Sequence, residues 1–128
     1  MSDPLDLMAE LIARARAAGA DAADAVLVAG TSLSVQRRHG QTEQLERAEG
    51  RDVGLRVFVG RRAAIVSSTA VDPAGFSELA ARAVAMARVV PEDPHAGLAE
   101  EAGAVPTLDL DLDDAAEPDA AALIVAAN

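Results

Sequence analysis

The chain has 128 residues, enough for one domain with a sizeable core and too few for two. It contains no Cys, which excludes disulfides, thiolate chemistry and thiolate metal sites, and only Phe58 and Phe76 are aromatic. The net charge of −10 lies wholly beyond residue 90: residues 1–90 balance 11 acids with 11 Arg, residues 91–128 hold 10 acids and no base, and this acidic excess argues against nucleic acid as a partner.

The first predicted element is a helix over residues 4–18. Asp3 is placed to cap it, Pro4 suits the first helical position, and Gly19 suits the left-handed position after its end. Leu5, Met8, Leu11, Ile12 and Ala15 recur at helical spacing and are expected to form its buried stripe. Next, Ala25, Leu27, Ala29, Leu33 and Val35 alternate with residues that turn polar beyond Gly30, which predicts a long half-buried strand. His39-Gly40 is a tight-turn signal. The following stretch, Gln41–Gly50, is charged, with Leu45 as its clearest apolar anchor, and is expected to form a second strand near the rim of the sheet.

A third strand is expected at Val53–Val59, with Val53, Leu55, Val57 and Val59 on one face and Gly54, Arg56 and Phe58 on the other. Its inward face is wholly aliphatic, which makes it the central strand. Gly60 supplies the positive φ of a hairpin turn, and a fourth strand returns through Ala63–Thr69. Asp72-Pro73 repeats the cap-and-proline device and opens a helix over about 73–90. Its expected buried stripe is Phe76, Leu79, Ala80, Ala83, Ala87 and Val90, and Pro91 and Pro94 stop it. The fold expected is therefore α+β: a two-layer sandwich of a four-stranded antiparallel sheet, about 24–69, with helices at both ends covering one face. Residues 1–100 form the domain. Residues 101–128 are expected to be an acidic linker and the start of a helix near Glu117-Pro118, cut short before a further C-terminal domain.

The candidate sites are few. His39 sits in a turn and His95 between prolines, without the paired spacing of a zinc helix. Asp109–Asp114 opens like a calcium loop, but Asp114 stands where that loop needs Gly and Ala120 where it needs Glu. Ser67, Ser68 and Thr69 lack a His to activate them, and they suit strand-end caps. Gly50, Gly54 and Gly60 do not make a phosphate loop, and Arg61-Arg62 is a hairpin-tip pair suited to a modest anion or partner contact. No position is put forward as catalytic, cofactor-binding or metal-ligating. No apolar run reaches the roughly 20 residues of a membrane span, and the acidic N-terminus has no signal-peptide character, so a soluble cytoplasmic protein is expected.

The chain over about residues 5–100, most clearly from Arg37 to Ala99, is similar to the N-terminal domain of the TldD/PmbA family. The likeness is carried by Gly40–Glu43, then "GLRVFVGRR", then "SST", then the "DP" that opens a helix. The run Ala85–Leu98, with its Pro-Glu-Asp-Pro, resembles the PmbA (TldE) branch more than the TldD branch. The resemblance implies one quarter or so of a longer subunit in a bacterial cytosolic metallopeptidase system. Such systems trim small, extended polypeptides, including antibiotic precursors and antitoxins, and the PmbA branch has been described as a modulator of DNA gyrase. It also implies that zinc is held in the C-terminal half of a TldD-type partner within a hetero-oligomer. This chain would then hold no cofactor, and no catalytic residue carries over onto it. The alternative is a free-standing protein-binding or regulatory module without a peptidase role.

Overall fold

In the computed structural model, residues 3–100 and 103–128 are described. The expected boundary between residues 100 and 101 abuts the pair 101–102, which lies outside the described residues. The elements in order are α1 (Pro4–Ala17), β1 (Ala22–Arg38), β2 (Gln41–Val59), β3 (Arg62–Ser68), a single 3-10 turn (Pro73–Gly75), α2 (Phe76–Val89) and α3 (Ala120–Ala126). The sheet has three strands in the order β1-β2-β3. Two compact units are distinguished, one made of residues up to Ala29 with Gly50–Glu100, the other of Gly30–Glu49 with the chain up to Asn128.

The first unit holds the core. Asp3 caps α1 by accepting the Leu5 N–H on Oδ1 at 2.8 Å, and Gly19 follows the helix with φ +116°. Asp72 repeats the device, accepting the Ala74 N–H at 3.1 Å ahead of α2. The residues from Pro73 to Gly75 form a 3-10 turn, so α2 starts at Phe76 instead of Pro73. Val53, Leu55 and Val57 are fully buried from the sheet side. Leu7, Met8, Leu11 and Ala15 of α1 join Phe76, Leu79, Ala80, Ala83, Val84 and Ala87 of α2 against them. Four of these helical positions are Ala with no exposure, which lets the two helices pack closely. Leu5, expected in the stripe, is 79% exposed, and Leu7 takes the buried place. The stripe that meets the sheet and α2 runs through positions 7, 8, 11 and 15, and residue 5 in the first turn lies off it.

The expected four-stranded sheet is corrected to three strands. Gln41–Val59 is one continuous strand, not two separated at Gly50. A reversal needs a backbone of the turn type, and Gly50 does not take the positive φ found at Gly19, Gly40 and Gly60. Nor does the pattern demand a break. Leu45, Arg47, Glu49 and Arg51 share the parity of Val53, Leu55 and Val57, so the strand passes from a polar to an apolar stretch without changing face. Both real hairpins are two-residue turns. His39 (φ +52°) and Gly40 (φ +75°) are both left-handed, as a type I′ turn requires. Gly60 (φ +60°) alone is so in the turn between Val59 and Arg62, the II′ pattern.

In the second unit, Leu45, expected as an anchor, is 51% exposed, while Leu33 and Val35 are half-buried. Arg37 ties this unit together: its guanidinium donates to Thr42 Oγ1 at 2.8 Å and to Asn128 Oδ1 at 2.8 Å. The helix expected near Glu117-Pro118 begins at Ala120, capped by Asp119, whose Oδ1 accepts the Ala122 N–H at 2.8 Å. Residues 103–119 have no helix or strand, and nearly all are exposed. Among the described residues no helix is long and apolar enough to cross a membrane.

Candidate functional site

The most shaped surface of the first unit is the face of the sheet that turns away from the helices. The register Arg56↔Ile65 and Phe58↔Ala63 places these four residues on it as cross-strand pairs. Arg56 reaches across to β1 and grips Asp24 with two bonds, Nε to Oδ1 at 2.9 Å and Nη2 to Oδ2. The hydrogen bond to Asp24 raises the Arg56 pKa above its ordinary value, burial opposes this, and the Asp24 charge adds to it. The same guanidinium lies over the Phe58 ring, 5.1 Å from its centre. The charge at the middle of this face is therefore neutralised in place.

A loop following α2 closes over part of this face. The Asp93 N–H donates to the Arg61 carbonyl at 2.8 Å, and the Arg61 guanidinium donates to the Ala96 carbonyl at 3.2 Å. Phe58 on this face, with the Arg56 guanidinium over its ring, is only 4% exposed. Between loop and sheet lies a cleft of about 450 Å³, with Phe58 and Arg56 as floor, Ala63–Ile65 on one side and Asp93, His95, Ala96 and Gly97 on the other. Asp21 fixes the neighbouring turn by accepting the Gly60 N–H at 2.6 Å, while its own N–H donates to the Phe58 carbonyl.

The residues singled out from sequence are dispersed. His39 is in the first hairpin turn, and His95 is in the loop, its N–H bonded to Asp93 Oδ1 at 2.9 Å. Ser68 Oγ accepts the Ala70 N–H at 3.0 Å. Within Asp109–Asp114, the Asp111 N–H turns back to Asp109 Oδ1 at 3.1 Å. Among the described residues, no three His, Cys, Asp or Glu side chains converge as a metal site would require. Two of the sequence candidates meet at the cleft: Arg61 holds its loop through the Ala96 carbonyl, and His95 lines its wall. Sequence reasoning missed the cleft itself. Its available signal was Phe58, one of only two aromatics, on a face otherwise expected to meet solvent.

The architecture defines a two-layer α+β domain with both long helices on one face of a three-stranded antiparallel sheet. The family model for PmbA/TldA metallopeptidase domain 1 matches residues 23–87, half of the chain, and the chain belongs to this family. Two solved structures share its fold. One is a protein of Bacteroides thetaiotaomicron assigned as a modulator of DNA gyrase, 18% identical with a TM-score of 0.72, matched over 84% of this chain and 25% of its own. The other is TldE from Thermococcus kodakarensis, 16% identical with a TM-score of 0.67, matched over 86% of this chain and 25% of its own. The chain thus spans about a quarter of the length of these structures. No curated protein matches it.

Proposed function

We propose that this chain is the non-catalytic N-terminal domain of a PmbA/TldE-type subunit, working in a cytoplasmic metallopeptidase assembly on small, extended polypeptides. The observation that carries the reading is the family match over residues 23–87, which spans β1 to α2 and so the whole sheet. The fold shared with TldE supports the branch. In this reading residues 1–100 are the domain, and residues 101–128 lead toward a further domain. A hydrolytic zinc ion needs about three protein ligands, an open position and a base for its water. A TldD-type partner supplies that set, and this domain contributes a rigid sheet to the shape of the assembly.

The acidic balance of the chain favours a protein or peptide partner over DNA. The test is metal content and association. The chain, dialysed against zinc, should retain less than a tenth of an equivalent. The longer subunit that carries it should co-elute with a TldD-type subunit in size-exclusion chromatography with light scattering. Stoichiometric zinc on this chain alone, or separate elution of the two subunits, would refute the proposal.

A further inference from the structure

β3 closes the sheet on one side, and among the described residues its outer backbone N–H and C=O groups have no strand partner. None of the backbone bonds that loops and turns make there reaches Ala63–Ser68. A free edge is a template for pairing with another chain and is ordinarily blunted by charge, proline or a bulge. The first half of β2 follows that rule, with Glu43, Glu46, Arg47 and Glu49 along it, whereas β3 from Ala63 to Ser68 carries neither charge nor proline. Ile65, at its centre, is 68% exposed. The helix layer is apolar at the same margin. α2 packs on β3, and α1 lies along one flank of α2: Arg14 donates to Ser77 Oγ at 3.3 Å, and Val84 and Arg88 stand beside Gly19. At about 100° per residue, Met86 lies roughly 160–180° around the helix from those three residues, on the flank turned away from α1 and toward the free edge. Met86 is 42% exposed, and Val89, one turn further along, is 82% exposed.

A single extended segment would cover the strand edge and leave the helix flank in water. What covers both must itself have a strand at its margin with a helix above it. A second copy of the chain has that arrangement, and an antiparallel edge is complementary to itself about a two-fold axis. We infer that two copies of this chain associate through this margin, β3 against β3 and α2 against α2, joining their three-stranded sheets into one. With the axis at the middle of β3, residues of one face oppose residues of the same face. Ile65 and Ser67 then meet their counterparts on the outer face, and Ala64 and Val66 theirs beneath the helices. The patch is small: seven residues of strand at about 3.4 Å each, over a depth of roughly 15–20 Å, give about 400 Å² per copy, half the ~800 Å² of a standard interface. The association is therefore weak, with a Kd on the order of 0.1–1 mM. Each copy carries a net charge of −10, and the strand edge carries none, so salt should strengthen the association by screening the repulsion between whole chains. Neither zinc nor a TldD-type subunit enters this inference, and it stands apart from the peptidase reading.

The test is sedimentation equilibrium of the 128-residue chain with interference optics, from about 20 µM to 2 mM, a range that brackets the expected constant. The mass should rise from monomer toward dimer, and the Kd should fall about threefold or more between roughly 0.02 and 0.5 M salt. Met86→Arg, with an unchanged melting profile, should weaken the dimer about tenfold, as a charge buried without a partner does. Val28→Arg alters a residue of similar exposure on β1, away from the margin, and should leave the dimer as it is. The chain has no Cys, so introduced cysteines report the contact directly. Among Ile65→Cys, Ser67→Cys and an equimolar mixture of the two, one pairing should bring the sulfurs into disulfide range and cross-link about tenfold faster than Ala85→Cys on the exposed side of α2. A monomer at the highest concentration in both salts, or a dimer that salt weakens, would overturn the inference. So would equal effects of Met86→Arg and Val28→Arg, or cross-linking no faster at β3 than at residue 85.

Discussion

Leu55→Ala tests the inward face of the sheet directly. Leu55 is fully buried between Val53 and Val57, opposite Val66, and under both helices. Leu→Ala in a core costs about 2–5 kcal/mol, the upper part of that range applying where the surroundings cannot collapse into the space. Four positions of the helical side of this core, Ala15, Ala80, Ala83 and Ala87, are fully buried alanines, and alanines have no side chain that can swing into a void. The expected loss is therefore about 3–5 kcal/mol, a large part of the roughly 5–15 kcal/mol by which a domain is stable, and a fall in Tm on the order of 10 °C or more. Ile65→Ala is the matched control, one residue along the same ladder on the opposite face and largely exposed, with an expected change within about 0.5 kcal/mol. The chain has no Trp or Tyr, so urea unfolding is followed by circular dichroism at 222 nm instead of fluorescence. A loss below about 0.5 kcal/mol for Leu55→Ala, or equal losses for both variants, would mean that the faces are assigned the wrong way round.

Gly19→Ala should cost about 1–3 kcal/mol in the same assay, because φ +116° strains any residue with a Cβ; the added methyl would also displace the Arg88 guanidinium, 2.6 Å away, though that flexible end can move. Asp24→Ala should cost no more than about 0.2–1 kcal/mol, since the Asp24–Arg56 pair is partly solvated, and the difference from the parent should shrink in 1 M salt. In hydrogen exchange, amides 103–119 should exchange far faster than those of Val53–Val59, because they belong to no helix or strand and bury little; comparable protection would contradict the described fold.

What could be read from the sequence was whatever local chemistry dictates. The Asp3-Pro4 and Asp72-Pro73 pairs mark both long helices because a cap and a proline act within one turn. His39-Gly40 and Gly60 mark both hairpins because the turns need positive φ. The inward set Val53, Leu55, Val57 follows from period-two alternation alone. Gly50 misled because glycine suits a turn and an extended strand equally, and only pairing with neighbours decides between them. The loop Asp93–Gly97 folding back on Phe58 joins residues 35 positions apart through Arg61, and no local rule encodes such a contact. The cleft beside β3 was hidden for the same reason.

The central proposal is that this domain supports a peptidase without carrying its chemistry. The direct measurement is cleavage of an unfolded peptide by the 128-residue chain, by the longer subunit that contains it, and by that subunit mixed with a TldD-type partner, each with and without chelator. The account predicts cleavage only in the mixture, abolished by chelator. Chelator-sensitive cleavage by the 128-residue chain alone would contradict it.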